Sequence, residues 1–282
     1  MSEGRLAGRV AVVTGGAGGI GGATARRLSA EGALVVVVDL DGDRATEIAA
    51  SLPGEALAVA ADVALEEDVE RYAKAAVERF GRIDLHHLNA GIPGALAPLP
   101  DVAIEDFDRV LAVNVRGMFL GLRAAFRQFA VQGAGGAIVT TGSIASLRGS
   151  ADLFAYHASK HAVVGMTRSA AVYGGPLGVR VNAVAPGIIP TELFAGAGGA
   201  AGGGSDMVAR AATTPLRRAG TPEEVAALVA FLLSDEAAYM TGEVVSVDGG
   251  ATATNTLRPS GGAGAWDPGA VDPRQEGQSP QT

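Results

Sequence analysis

The sequence predicts an α/β fold in which seven parallel strands form one doubly wound sheet with helices on both faces. Short apolar runs alternate with helical segments through six crossovers, and such crossovers require parallel strands. A glycine cluster stands between the first apolar run and the first helical segment, as in a nucleotide-binding βαβ unit. The expected strand order is 3-2-1-4-5-6-7, in a single domain over residues 1–252 that is followed by a Gly/Pro-rich tail, 253–282.

The glycine cluster is the first element that predicts a ligand. Arg9 is followed by five residues of β-forming composition, 10–14, which are typical of a strand buried on both faces, and Gly15–Gly22 then has six glycines in eight positions. Residues 23–31 have helical composition. A Cβ in this turn would hold the backbone away from a pyrophosphate, and the N–H groups at the start of the helix would bind that anion.

The second strand, Leu34–Asp39, ends in an acid 18 residues after Gly21. At about this spacing an acid accepts hydrogen bonds from an adenosine ribose. Asp39 could instead only begin a turn, but the glycine cluster favours the ribose role. No Arg or Lys occupies the glycine turn, and the first base after Asp39 is Arg44. Because a 2′-phosphate would meet a carboxylate here, we expect NAD rather than NADP.

The later elements continue the alternation of strand and helix. Strands are expected at 56–61, 83–88, 137–141, 179–184 and 243–247, and helices at 44–52, 66–80, 104–132, 154–173 and 223–233. The segment 104–132 is predicted to be one long helix or a helix pair. Residues 191–218 contain a glycine run and are expected to form a mobile lid over the substrate.

Composition limits the partners and the compartment. The 282 residues carry a net charge of −8 and no cysteine, which excludes a disulfide framework, thiolate chemistry and a nucleic-acid partner. No apolar run approaches the ~18 residues of a membrane span, and the N-terminus has no apolar signal core. We therefore expect a cytoplasmic protein without a membrane partner.

Tyr156 and Lys160 are candidates for chemistry because positions i and i+4 share one face of a helix. A neighbouring ammonium is expected to lower the tyrosine pKa from about 10 and so make a general acid/base. Ser143 follows the fifth strand at its carboxyl end, where open parallel sheets bind ligands. The spacing alone also fits a packed tyrosine beside a surface lysine, and the glycine turn favours the chemical interpretation.

The four histidines do not predict a metal site. His86 and His87 are adjacent on a strand, so their side chains are expected to point to opposite faces. His157 and His161 have a spacing that allows joint zinc binding, but the sequence places no third ligand beside them. A helix-packing role is expected for His157 and His161, and no metal is expected.

Taken together, these motifs resemble the short-chain dehydrogenase/reductase family over about residues 6–252, and the resemblance implies a Rossmann fold. Leu88 stands where that family commonly has an asparagine. The other matching elements are its TGxxxGxG turn at Thr14–Gly21, its NAG element at Asn89–Gly91, its asparagine at Asn114, its nicotinamide segment at Pro186, Gly187 and Thr191, and its final turn at Val247–Gly250.

The resemblance implies hydride transfer between NAD and a carbinol carbon, and it suggests a homotetramer. Tyr156 would take the hydroxyl proton, Ser143 would hold the oxygen, and Lys160 would lower the tyrosine pKa and bind the nicotinamide ribose. Asn114 would bend a long helix and hold a water that passes protons from Lys160 to solvent. The residues implied for cofactor binding are Gly15, Gly18, Gly19, Ile20, Asp39, Leu40, Asp62, Val63, Asn89, Ala90, Gly91, Tyr156, Lys160, Pro186, Gly187, Ile189 and Thr191.

The predicted substrate pocket is apolar except for Arg148, which is expected to face outward or, alternatively, to clamp a carboxylate. Its residues are Ala145, Leu147, Arg148, Leu153, Ile188, Leu193 and Phe194, with Ile92 and Pro93. These walls favour a cyclic or medium-chain apolar secondary alcohol as the small-molecule substrate. One alternative is an NADP-dependent reductase of carrier-bound 3-oxoacyl chains, which Asp39 opposes. Another is a non-catalytic dinucleotide-binding regulator, which the presence of both Tyr156 and Lys160 opposes.

Overall fold

The computed structural model describes residues 4–191 and 211–254. Seven parallel strands form one sheet in the order β3-β2-β1-β4-β5-β6-β7, which confirms the predicted topology. The strands are β1 (Val10–Thr14), β2 (Leu34–Asp39), β3 (Ala56–Ala60), β4 (Leu85–Leu88), β5 (Gly136–Thr141), β6 (Val179–Pro186) and β7 (Val244–Val247). The α-helices are α1 (Gly19–Ala30), α2 (Gly42–Ser51), α3 (Glu66–Phe80), α4 (Ile104–Leu111), α5 (Met118–Gln132), α6 (Phe154–Gly174) and α7 (Pro222–Leu233).

The valine-rich central strands are buried on both faces because helices cover each side of the sheet. Alternate residues of one strand pack into different cores. Val13 packs in the core that α1 and α7 cover, and its neighbour Val12 packs in the core that α3, α5 and α6 cover. This two-sided burial explains why β1 and β2 are continuous apolar runs without polar alternation.

The strand order creates a crevice at the carboxyl ends of β1 and β4. The chain leaves β1 for β2 on one side, whereas β4 lies on the other side of β1. Connections that diverge in this way leave a gap in which open α/β sheets bind ligands. The glycine turn follows β1 at this point, and Asn89–Gly91 follows β4.

The predicted long helix over 104–132 is a helix pair joined by a π-helical turn. Helix α4 ends at Leu111, residues Ala112–Gly117 form the π-helical turn, and α5 begins at Met118. Such turns are rare and occur mostly at functional sites. This one contains Asn114.

Parts of two predictions fall on residues that the structure does not describe. Most of the expected lid, 191–218, lies in 192–210, and all but the first two residues of the expected tail, 253–282, lie after residue 254. Within residues 4–191 and 211–254, no helix combines the length and hydropathy of a transmembrane segment.

Candidate active site

A cavity of about 370 Å³ occupies the crevice, within the range of small-molecule sites. It extends from the carboxyl end of β2 past the glycine turn to α6. Every residue predicted to bind the cofactor lines it: Gly15, Gly18, Gly19, Ile20, Asp39, Leu40, Asp62, Val63, Asn89, Ala90, Gly91, Tyr156, Lys160, Pro186, Gly187, Ile189 and Thr191. Their binding roles remain predictions.

The glycine turn has room for a pyrophosphate where Gly15, Gly18 and Gly19, which lack side chains, line the cavity. A Cβ on Gly21 would lie 1.9 Å from the carbonyl oxygen of Gly15, and Gly15 itself has a φ of +63°. Helix α1 begins behind the turn, and Gly18 at its N-cap has no side chain that could cap the free N–H groups. Gly18 and Gly19 line the cavity, so this helix end can bind an anion there.

Asp39 lies at the end of the cavity nearest β2, here named the nucleotide end because the adenosine ribose is predicted to bind there. Backbone donors hold its carboxylate in place. Its Oδ2 accepts a hydrogen bond from Ala17 N at 3.0 Å, and its Oδ1 accepts one from Asp41 N at 3.1 Å. A carboxylate has about four acceptor positions, so room remains for two ribose hydroxyls. Leu40 beside it is 75% exposed and offers an apolar surface to an adenine ring.

Tyr156 and Lys160 lie at the opposite end of the cavity, and both are buried. The ammonium Nζ of Lys160 donates to the carbonyl oxygen of Thr141 at 2.8 Å and lies 5.6 Å from the centre of the Tyr156 ring. Burial lowers the pKa of Lys160 from 10.5 to about 8, because a charged amine loses hydration inside the protein.

The expected effect of Lys160 on Tyr156 requires a correction. Burial raises the pKa of Tyr156 above 10, and a hydrogen bond with the side chain of Ser143 opposes this rise only in part. The ammonium of Lys160 is directed to the Thr141 carbonyl, so loss of hydration has the larger effect on the phenol. The structure thus brings Ser143, Tyr156 and Lys160 together, but it does not show the lowered tyrosine pKa that the spacing predicted.

The end of the cavity that holds Ser143, Tyr156 and Lys160 is here named the catalytic end. Asn114 is buried behind it. Its Oδ1 accepts from Ile92 N at 2.8 Å, while its Nδ2 donates to Ile92 O at 2.9 Å and to Ser159 Oγ at 3.0 Å. A Cβ on Gly91 would lie 3.2 Å from Asn114 Oδ1 and 3.5 Å from Lys160 Nζ. The π-helical turn therefore holds the amide next to the lysine, and the proton-passing role stays a prediction.

The predicted substrate residues are less well placed. Ile92 lines the cavity, but the lining does not include Ala145, Leu147, Leu153 or Pro93 among the described residues, and Ile188 lines a second cavity beside β7. Arg148 does not line this cavity, and its guanidinium donates to the carbonyl oxygen of Ala251 at 2.5 Å, so its two expected orientations stay predictions. Leu193 and Phe194 lie outside the described residues.

Sequence reasoning missed several residues that line the cavity. Arg44 and Asp41 line it at the nucleotide end, and Val113 and Thr141 line it elsewhere. Thr141 was identifiable in principle, because it is the last residue of β5 and stands two positions before Ser143. No cluster of three His, Cys, Asp or Glu side chains in the described ranges could hold a metal ion.

Comparison with known proteins agrees with this geometry. A family model described as enoyl-(acyl carrier protein) reductase matches residues 15–252. Levodione reductase of Leifsonia aquatica is 41% identical over 257 residues, which are 88% of this chain and 96% of the relative. The chain belongs to the short-chain dehydrogenase/reductase family. Cis-4-hydroxycyclohexanecarboxylate dehydrogenase of Sinomonas cyclohexanicum is 42% identical over 249 residues, covering 87% and 97% of the two chains.

Solved structures show the same short-chain dehydrogenase/reductase fold. The crystal structure of levodione reductase has a TM-score of 0.82 and 40% identity, covering 88% of this chain and 99% of the other. NAD⁺-bound xylitol dehydrogenase also has a TM-score of 0.82, with 36% identity and coverage of 87% and 99%. These relatives support an oxidoreductase with a nicotinamide cofactor, and the family resemblance read from the sequence is confirmed.

Proposed function

We propose that this protein is an NAD-dependent oxidoreductase that interconverts an apolar secondary alcohol and its ketone. One observation carries the proposal. A single cavity has Asp39 and the glycine turn at one end and Ser143, Tyr156 and Lys160 at the other. This arrangement suits a dinucleotide whose adenosine lies near β2 and whose nicotinamide lies near α6.

In oxidation, the carbinol carbon loses a hydride and its hydroxyl loses a proton. When bound, NAD would supply the hydride acceptor for oxidation, and its reduced form would supply the hydride for reduction. Ser143 lines the cavity beside Tyr156 and donates a hydrogen bond to the substrate oxygen, which holds that oxygen in place. Tyr156 as phenolate takes the hydroxyl proton. The charge of Lys160, 5.6 Å from the ring centre, favours the phenolate but does not offset the rise that burial causes in the tyrosine pKa.

The choice of NAD over NADP depends on Asp39. Its carboxylate accepts two backbone hydrogen bonds, which hold it at the cavity wall. A ribose 2′-phosphate would be repelled there, whereas ribose hydroxyls would donate to it. Arg44 lines the same end and is the base that an NADP enzyme would use. We assign the ribose position to Asp39, since it lies directly at the end of β2.

The proposed substrate is a cyclic alcohol or ketone. Ile92 and Val113 line the cavity next to the Asn114 amide and give the catalytic end apolar walls. Burial of a ring against them contributes roughly 0.8 kcal/mol per CH₂. Cis-4-hydroxycyclohexanecarboxylate dehydrogenase is a relative that by its name acts on a six-membered ring alcohol. Xylitol dehydrogenase, a relative named for a polyol, provides the contrasting substrate for a test.

The decisive experiment is a steady-state assay that follows the absorbance of NADH. We expect kcat/KM for cyclohexanol to exceed the values for glucose and xylitol, and NAD to be used in preference to NADP. A higher value for either polyol would overturn the substrate proposal, and equal use of NADP would overturn the cofactor proposal. NADH binding without turnover on any alcohol or ketone tested would favour the non-catalytic regulator.

A second candidate is the reduction of carrier-bound 3-oxoacyl chains with NADP. The observation that favours it is Arg44 at the nucleotide end of the cavity, where a cation could bind a 2′-phosphate. The same assay with a 3-oxoacyl thioester and NADPH separates the two candidates. A higher kcat/KM for the thioester than for cyclohexanone would replace our proposal with this one.

We also infer a homotetramer, on the family resemblance and on the outer faces of α5 and α6. Val131 on α5 is 83% exposed, and Val172 and Tyr173 on α6 are 80% and 66% exposed. Apolar side chains grouped on helix faces commonly mark an interface between subunits. Light scattering should give four times the mass of one chain, and a monomer at micromolar concentration would contradict the inference.

A further inference from the structure

Two adjacent histidines on β4 have no role in the mechanism proposed above. His86 and His87 are both fully buried, and neither Nδ1 has a hydrogen-bond partner in the described part of the chain. Burial lowers the pKa of each ring to about 3, so both are neutral at physiological pH. A buried polar ring is costly compared with the valines of the neighbouring strands, so the contacts of each ring indicate what it does.

The two rings lie on opposite faces of the sheet and have different neighbours. The Nε2 of His86 lies 3.4 Å from the hydroxyl of Tyr72 on α3, and the two rings meet edge to face at 5.8 Å between centroids. The Nε2 of His87 lies 2.9 Å from Oγ1 of Thr141, which lines the active-site cavity. The first contact is distant from the proposed cofactor site, and the second reaches its wall.

The hydrogen bonds around Thr141 determine which nitrogen of His87 carries the proton. Thr141 Oγ1 donates its single proton to Asn89 Oδ1 at 3.2 Å, so toward His87 it can act only as an acceptor. His87 must then donate from Nε2–H, and its unpaired Nδ1 is a bare acceptor. The other tautomer would bury an unpaired N–H and require one threonine proton to serve two acceptors.

Asn89 connects these hydrogen bonds to the glycine turn. Because its Oδ1 faces Thr141, its Nδ2 faces the opposite way and donates to the carbonyl oxygens of Thr14 at 3.1 Å and Gly15 at 3.2 Å. These carbonyls belong to the end of β1 and the first residue of the turn. The carbonyl of Thr141 also accepts the Lys160 hydrogen bond, so Thr141 contacts both halves of the site.

We propose that His87 is a positioning residue for the cofactor site: through Thr141 it orients the Asn89 amide, which holds the glycine turn in place. This inference rests on the proposed function, namely that the cavity binds a nicotinamide dinucleotide. His87 touches neither the substrate nor the cofactor in this arrangement. Its effect passes through three consecutive hydrogen bonds that join β4, β5 and β1.

His86 provides a matched control because it has the same residue type, strand and burial but faces the other core. We expect His86→Leu and His87→Leu both to change the melting temperature, since each alters a packed interior. Only His87→Leu should weaken NADH binding, by about fivefold, the loss expected for one hydrogen bond of ordinary strength. The measurements are the Kd from titration of NADH fluorescence and the melting temperature of the free protein.

Two further variants test the route of the effect. Thr141→Val removes the hydroxyl and keeps the shape, so it should weaken NADH binding to a similar extent. The double variant His87→Leu/Thr141→Val should bind NADH no more weakly than whichever single variant has the lower affinity. Both substitutions interrupt the same series of hydrogen bonds, so their effects should not add. His87→Gln keeps an N–H donor of similar reach and should restore part of the affinity.

The outcomes separate this inference from the function on which it rests. A wild-type protein that does not bind NADH would refute the proposed function itself. Normal wild-type binding with equal losses in His86→Leu and His87→Leu, or with no loss in His87→Leu, would overturn the positioning role. If His87→Leu does not fold, Thr141→Val decides, and unchanged NADH affinity in that variant would also overturn the inference.

Discussion

The two ends of the cavity are built from different materials. The nucleotide end consists mainly of backbone from consecutive residues, where the glycine turn follows β1 and Asp39 ends β2. The catalytic end consists of buried side chains from separate elements, with Asn114 in the π-helical turn and Tyr156 and Lys160 on α6. A site made of backbone is sensitive to an added Cβ, whereas a site made of buried side chains is sensitive to the loss of a polar atom.

The two ends also differ in hydration. Asp39 is half-buried and accepts hydrogen bonds from two backbone N–H groups. Lys160 is only 4% exposed, and the one hydrogen bond described for its ammonium goes to a carbonyl. Burial therefore raises the pKa of Tyr156 and lowers that of Lys160, and chemistry that depends on protonation belongs to that end.

The largest effect is expected at the catalytic end. Tyr156→Phe keeps the ring and removes only the group that transfers the proton, so kcat should fall by about 10²- to 10⁴-fold. The Kd for NADH should change little, since the glycine turn and Asp39 remain. Steady-state kinetics and NADH titration together provide the test. A phenylalanine variant with most of its turnover would remove Tyr156 from the mechanism.

At the nucleotide end, a substitution that adds a methyl group to the glycine turn should strongly weaken NADH binding. A Cβ on Gly21 would lie 1.9 Å from Gly15 O and 2.8 Å from Asn89 Nδ2, so Gly21→Ala must displace the turn. We expect NADH affinity to fall at least about tenfold, the factor that corresponds to about 1.4 kcal/mol.

Gly22→Ala is the matched control for that substitution. Its Cβ would lie 3.5 Å from Gly16 O, an ordinary contact, and alanine stabilises a helix interior by roughly 0.5–1 kcal/mol over glycine. NADH affinity should therefore be retained and the melting temperature should rise slightly. Equal losses of affinity in both variants would show that the turn tolerates no alanine for reasons other than this contact.

The same difference explains how far each end could be predicted from the sequence. The glycine turn and Asp39 are local, because a strand, a turn and the next strand place them within one βαβ unit. Tyr156 and Lys160 were also recognisable, since i and i+4 share a helix face. The raised pKa of Tyr156 was not, because it depends on burial by elements far away in sequence.

The apolar pocket was the least predictable part for a related reason. Position after a strand does not determine where a loop side chain points, and Arg148 turns away to satisfy the Ala251 carbonyl. His87 was correctly expected to face away from His86, but its partner Thr141 lies 54 positions later in the chain. Strand register brings such pairs together, and a single sequence carries no signal for the hydrogen bond itself.

A smaller effect is expected when the charge at the nucleotide end is removed. Asp39→Ala abolishes the acceptor for the ribose and the repulsion of a 2′-phosphate, so the preference for NAD should fall by about tenfold, as for a hydrogen bond to a charged group. Turnover at saturating NAD should be nearly unchanged. The ratio of kcat/KM for NAD and NADP measures the preference. An unaltered ratio would mean that residues other than Asp39 select the cofactor, and Arg44 would be the next residue to substitute.

The smallest expected effect concerns the free energy of unfolding, which burial of the charged Lys160 amine lowers. Its folded pKa, about 8, is below the ordinary value of 10.5. Below pH 8 the amine is protonated in the folded and unfolded chains alike, so the folded protein carries the full cost of the buried charge. Above pH 8 the unfolded chain binds more protons than the folded one, and the stability of the wild type rises with pH.

Methionine cannot titrate. The free energy of unfolding of Lys160→Met minus that of the wild type should therefore be largest below pH 8. That relative stability should fall by about 1 kcal/mol between pH 7 and pH 9, since one pKa unit corresponds to about 1.4 kcal/mol. Urea denaturation at both pH values measures it, and Lys74→Met on the exposed face of α3 is the control without a buried charge. A difference that is constant or grows with pH would mean that Lys160 keeps an ordinary affinity for its proton, and the contrast in hydration between the two ends would then fail.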